Sequence, residues 1–437
     1  MARKYLLSLL TAALVTISLA PGTNAAAAVA RPGKVHAQWR AAGVHPAIVA
    51  RVPLVEAQTA AATAPTLPAQ YFGMHVLHLQ FGTAWPSVRF GTWRIWDAGV
   101  DWAQLQPTAS TYNWQALDTY IALAKQQGMD VILELGQTPK WASTEPTSVT
   151  GGLTAPPVSN TLWTNYVSAV ATRYKGKIAY YEVWNEVNTT NYWDGTPAQM
   201  VQLVTLASKA IKSIDPAAKI ISPSITNISP SALAYLQNLL DLGMGSSVDA
   251  IGIHFYIPGK TPEALIPTAQ SVQALMKQYK LTNKPLINTE FGWAPPNLFN
   301  TVDDQSGYMM RAMLVGWSAG MQRFMWYAWD NSNFVTVTMT QPDFKTPTMV
   351  AKAYTTLQAW TVNKEVSACV AASTVWSCDI TDTSGDHSRI YWDTAGAGTV
   401  TPSLTWTPAH AVDMYGNVTA YTGGSLAISA HPILIKE

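Results

Sequence analysis

The chain has 437 residues, of which 48 % are hydrophobic and only 12 % charged, and 27 basic residues against 26 acidic ones give a formal charge of +1. There is room for one large domain with a small one, or for three modest ones, around a sizeable core. The near-neutral balance excludes a nucleic-acid binder, which needs a basic face.

The first 30 residues have the layout of a secretory leader. Arg3 and Lys4 open it, an apolar run spans Tyr5 to Ala20, and small residues fill the region from Pro21 to Ala30. That run is short for a membrane span, and no later stretch is long and apolar enough for one. The sequence therefore predicts a signal peptide over 1–30 and a secreted or periplasmic chain without a membrane span. Residues 31–68, rich in Ala, Pro and Val, read as a linker, with Val44 to Glu56 alternatively adding a strand elsewhere.

From Tyr71 strands and helices alternate. Apolar strand patterns start at Phe72, Gly91, Asp130, Ile178, Lys219, Val248, Lys284 and Gln322. Helical patterns follow from Trp114, Leu162, Pro197, Ser231, Pro262, Asp303 and Met349. Eight strand–helix units in about 290 residues have the size of a (β/α)8 TIM barrel, placed here over 69–361. An open doubly wound sheet is the alternative. After Asn363 short alternating runs such as Ser388–Trp392 and Leu404–Trp406 predict a small C-terminal antiparallel β-domain, sandwich-like, over 362–437. Cys369 and Cys378 are the only cysteines, and in an exported chain they read as a disulfide.

Two strands end in carboxylates. Ile178-Ala-Tyr-Tyr-Glu-Val-Trp-Asn-Glu186 closes the fourth strand, and Lys284-Pro-Leu-Ile-Asn-Thr-Glu290 closes the seventh. A carboxylate at the end of an apolar strand is costly unless it has partners or work to do. In such barrels the active site lies at the C-terminal strand ends, so Glu186 and Glu290 form a candidate acid/base and nucleophile pair for glycoside chemistry. The competing reading is a pair of structural carboxylates. Glu134 and Glu182 more naturally brace the barrel interior. The 18 Trp and 18 Tyr include side chains suited to the apolar faces of sugars, although such residues are also ordinary core. Among them Trp141 has a stacking role or a loop-packing one, and Trp329 is better placed than Trp326 to reach the mouth. His254 either lines the sugar site or is a hydrogen-bonded barrel histidine.

Other chemistries have little support. No Gly-x-Ser-x-Gly and no His-Glu-x-x-His is present, and the two cysteines lack further metal ligands nearby, so no metal and no cofactor is expected. Sequons stand at Asn188, Asn227 and Asn417.

The motif Trp184-Asn185-Glu186 with Asn288-Thr-Glu-Phe-Gly292 resembles glycoside hydrolase clan A. Gly136-Gln-Thr-Pro-Lys-Trp-Ala-Ser143 and Gly99-Val-Asp-Trp-Ala-Gln-Leu-Gln-Pro107 look like its family 39. The resemblance covers 71 to about 361. It implies a retaining mechanism with Glu186 as acid/base and Glu290 as nucleophile. It also implies that Asn185 holds the sugar 2-hydroxyl, that Tyr256 hydrogen-bonds the nucleophile, and that Arg94 lies beside it and favours its ionised form. Arg94 is alternatively an ion-pair partner of Glu182. The expected partner is a carbohydrate, bound by a monomer. A non-catalytic polysaccharide-binding protein is the rival from another class. Among enzymes, an exo-acting β-xylosidase or arabinofuranosidase competes with an endo-acting polysaccharide hydrolase.

Overall fold

The computed structural model describes residues 64–292, 301–330 and 337–437. The expected leader, and the expected linker up to residue 63, lie outside the described residues. The described residues all belong to one compact unit. The described residues begin inside the stretch read as linker: Thr66 bridges Glu365, and Leu67 exchanges backbone bonds with Asn363 and Lys364.

Eight parallel strands make the barrel. They are β1 (Phe72–Met74), β2 (Thr92–Ile95), β3 (Asp130–Leu135), β4 (Tyr180–Val183), β5 in two pieces (Lys219–Ile221 and Ile225–Thr226), β6 (Ile251–His254), β7 (Leu286–Phe291) and β8 (Met321–Trp326). Pro223 stands in the break of β5, where a residue without an N–H cannot continue the ladder. The first piece pairs with β4 and the second with β6, while Ile221 bridges Ala250, so the sheet closes on itself. β1 completes the ring by pairing with both β2 and β8. Ile132, Ile221, Ala250, Ile287 and Met325, all fully buried, fill part of the interior.

The helices begin where their sequences provide caps. Thr196 and Gln199 form a capping box ahead of Pro197–Ile214, with Pro197 in the first turn. Ser229 caps Pro230–Asp241, and Ser159 caps Asn160–Arg173. Of the eight expected strand–helix units the first lacks its helix, in keeping with the helical patterns, none of which falls between Phe72 and Gly91. β1 stops at Met74, and its connection to β2 holds a three-residue 3₁₀ turn, Leu79–Phe81.

The helix after β7 (Val302–Ser318) is buried on every side along its middle: each residue from 306 to 316 is buried. A helix apolar all round must have a layer on both faces. One layer is the barrel, where Gly316 lies against Phe324 and Tyr71. The other is an antiparallel sheet in the order Glu365–Val366, Val375–Thr381, His387–Asp393, Ile433–Lys436, His410–Val412, Val418–Ala420. Gly307 touches Ala430 and His431 from this layer. A two-stranded sheet, Gly398–Val400 with Leu426–Ile428, completes it, and Leu404–Trp406 lies in no strand. Cys369 and Cys378 form the disulfide. Among the described residues no helix is long and apolar enough to cross a membrane.

Candidate active site

The backbone at the end of β4 leaves the ordinary strand conformation. Trp184 and Glu186 take positive φ, 71° and 43°, a region that costs non-glycine residues about 1 kcal/mol or more and is held only by surrounding contacts. Those contacts are visible. Trp184 donates its N–H to Leu135 and its indole N–H to Tyr192, and its ring meets Trp193 edge-on. Gly136 makes room, because a Cβ there would lie 2.4 Å from Glu134 Oε1 and 3.2 Å from the Trp184 ring. The turn directs Asn185 and Glu186 inward.

Arg94, fully buried on β2, organises the floor. Its Nε donates to Glu182 Oε2 at 2.6 Å, Nη1 to Glu290 Oε2 at 3.0 Å and Nη2 to Asn185 Oδ1 at 2.9 Å. Arg94 thus pairs with Glu182 and with Glu290 at once. Tyr256 OH donates to the other Glu290 oxygen at 2.9 Å. Glu186 Oε1 meets His254 Nδ1 at 2.9 Å, and that nitrogen stands 3.8 Å from Glu290 Oε1. An oxygen of Glu186, Nδ1 or Nε2 of His254 and an oxygen of Glu290 all lie within 4.8 Å of one another. The trio has the spacing of a metal site, but Arg94 already places a permanent cation on Glu290, which opposes a second one.

Burial raises the pKa of both glutamic acids above the ordinary carboxylate value. Their partners differ. The Glu290 anion faces a guanidinium and a phenol donor. Burial brings His254 down to about 4, although Glu290 works against this, so Glu186 faces a neutral ring at neutral pH. A neutral imidazole supports a carboxylate charge far less than Arg94 does, so the pair is polarised: Glu290 is the easier group to keep ionised and Glu186 the easier to protonate.

The remaining expected site residues are distributed less simply. His254 is buried and bonded to Glu186 rather than open to a sugar. Trp141 is half-buried, meets Trp102 edge-on and donates its indole N–H to the Gln106 carbonyl. Trp329 is corrected from mouth to core: it is 1 % exposed and donates its backbone N–H to His75. Asn188, the first of the three sequon residues, exchanges two hydrogen bonds with the Thr226 backbone. Sequence reasoning missed Asp97 and Tyr327, which stand just past strand ends with no motif to mark them, and it did not single out Asp101 within the Gly99–Pro107 segment.

Residues 89–334, more than half of the chain, match the family model described as Cellulase (glycosyl hydrolase family 5). The chain is 24 % identical over 235 residues to a Beta-xylosidase of Geobacillus stearothermophilus, covering 47 % of this chain and 45 % of that one. It is 22 % identical over 201 residues to Endo-1,4-beta-xylanase 1 of Gibberella zeae, covering 44 % and 56 %. The match thus spans about half the length of each relative. Among solved structures, one similar chain is a family 39 glycoside hydrolase from the gut symbiont Bacteroides cellulosilyticus WH2, with TM-score 0.66, 15 % identity, and 85 % of this chain and 82 % of that one covered. Another is a monomeric β-xylosidase from Caulobacter crescentus CB15, with TM-score 0.60, 16 % identity, and 86 % and 97 % covered. At such identities the likeness speaks to the fold.

Proposed function

The chain belongs to the Cellulase family, glycosyl hydrolase family 5, and from that membership we propose that it hydrolyses O-glycosidic bonds with retention of configuration. Glu290 attacks the anomeric carbon while Glu186 protonates the leaving oxygen. Glu186 then takes a proton from water, which releases the sugar from the glycosyl-enzyme. The observation that carries this reading is the approach of the two carboxylates to within 4.8 Å. Retaining pairs stand about 5–5.5 Å apart, whereas inverting pairs leave room for a water molecule between them. The unequal partners support the assignment of roles. Asn185 commits its carbonyl oxygen to Arg94, which leaves its NH2 group for the sugar 2-hydroxyl.

The names of the two relatives make β-linked xylosides the first substrates to try. An exo-acting xylosidase and an endo-acting hydrolase both fit this reading. We read residues 1–30 as an export signal and the catalyst as a monomer.

The test is azide rescue. Glu186→Ala should slow turnover by about 10²–10⁴-fold, and azide should restore it by giving a glycosyl azide of the substrate's own configuration. Glu290→Gly should be slower still, and its azide product should be inverted. The same configuration from both variants, or wild-type rates in either, defeats the assignment.

A further inference from the structure

Two carboxyl groups suffice for the proposed double displacement, yet a third stands in the same mouth. Asp97 follows β2 by two residues and takes φ 55°, a left-handed conformation that is costly for an aspartate. Its neighbours Trp96 and Ala98 are buried, whereas Asp97 is exposed. The turn therefore leaves this one side chain open to solvent within the mouth, where the surrounding protein still desolvates the carboxyl and raises its pKa. Tyr327 OH donates to Asp97 Oδ2 at 2.9 Å, and no described residue hydrogen-bonds Oδ1. The Tyr327 ring packs edge-on against His75, centroids 4.9 Å apart, and His75 in turn meets the carbonyl of Thr289 beside Glu290. The Asp97 carboxyl interacts electrostatically with Arg94, Glu186, His78 and Glu290.

The two basic groups that reach Asp97 are both engaged. Arg94 is divided among Glu182, Glu290 and Asn185. The ring of His78 bonds the Asp330 carbonyl and stacks on Phe344. Neither is free to receive a sugar carboxylate.

We propose that Asp97 is a specificity residue that accepts hydroxyl protons from the sugar seated over Glu186 and Glu290 and turns away uronic acids, so that the site takes neutral sugars. A carboxylate with one oxygen fixed by a phenol and the other bonded by no described residue is suited to accepting sugar hydroxyls, and charge-assisted bonds of this kind are the strong ones. The inference rests on the hydrolase reading above, because it needs a sugar at the two acids.

The decisive variant is Asp97→Asn, whose amide oxygen still accepts from Tyr327 but carries no charge. On para-nitrophenyl β-xyloside, KM should rise about tenfold with kcat much less affected. The preference for xylose over glucuronate as competing inhibitors should shrink by a similar factor, with thermal unfolding unchanged. An unchanged KM and an unchanged inhibitor ratio in a folded variant would reduce Asp97 to a brace for Tyr327 and overturn the proposal. Should the variant not fold, the wild-type ratio decides: xylose binding much more tightly than glucuronate supports the proposal, and equal binding overturns it. A wild type inactive on every aryl glycoside tried defeats the hydrolase reading instead, which separates the two failures.

Discussion

The barrel mouth and the seam where the Val302–Ser318 helix meets the C-terminal sheet both hold acids, largely enclosed in the first and partly or fully exposed in the second, and they treat them in opposite ways. In the seam each acid has its own donor. Glu263 accepts two bonds from Arg311, at 2.7 and 2.6 Å, and one from the Trp392 indole at 2.9 Å. Asp304 meets His431 at 3.0 Å, and Asp303 accepts from Tyr415. Burial pushes the Glu263 and Asp304 pKa values up, but their partners prevail and both end below the ordinary value. In the barrel a single guanidinium serves Glu182 and Glu290, while Glu134 has both oxygens unbonded among the described residues. There burial prevails, and Glu134, Glu186, Glu290 and Asp101 all rise. Charge in the seam serves cohesion. In the mouth it is kept short of partners, which suits groups that must exchange protons.

The largest expected effect breaks this contrast at its centre. Arg94→Met leaves Glu182 and Glu290 buried without a counter-charge, and should cost about 3–5 kcal/mol of stability together with nearly all activity. Denaturant unfolding with a loss of under about 1 kcal/mol would show that the floor does not depend on this residue.

Next comes the seam. Glu263→Gln strands Arg311, which is 3 % exposed, and should cost about 3 kcal/mol at neutral pH. Glu263 has a lowered pKa, so its contribution is present above the ordinary value of 4.5 and is lost as pH falls through the folded value. The gap between variant and wild type should therefore close in acid, as urea unfolding at neutral and acidic pH would reveal.

The smallest effect has the opposite sign. Burial, with Asp97 adding, raises Asp101 from 3.8 to about 8. Between those values the folded state binds a proton that the unfolded chain releases, so stability falls as pH rises across the window. Asp101→Asn removes this slope. It should leave stability near wild type in acid and add about 1–2 kcal/mol at pH 8, read as a higher Tm. A variant less stable than wild type at pH 8 would place Asp101 with the seam acids.

The sequence makes the barrel legible because its strands are continuous apolar runs and its helices carry Thr, Ser and Pro at their starts. The absence of a helix after β1 is legible as well, since the stretch from Leu79 to Phe90 has aromatic and apolar residues without a clear period. Glu186 and Glu290 stand out through their position at the ends of such runs. Arg94 is visible as a buried charge, but only the packed barrel shows that it reaches three groups at once. His254 sits in an apolar strand with no sign of which carboxylate it faces. Asp97 and Asp101 resemble ordinary loop acids in the sequence. A positive φ leaves the first open to solvent and a desolvated pocket encloses the second, and neither feature is written in composition or spacing. Trp329 shows the converse: proximity to a strand end does not tell a mouth residue from a core one.

The Val302–Ser318 helix carries one more consequence. A helix with no solvent face to spare ties the catalytic strand before it to the sheet beyond it, so the two cannot diverge independently. Anyone exchanging loops or modules between this chain and its kin should move helix and sheet as one cassette, because either alone would expose a greasy surface that its old neighbour kept dry.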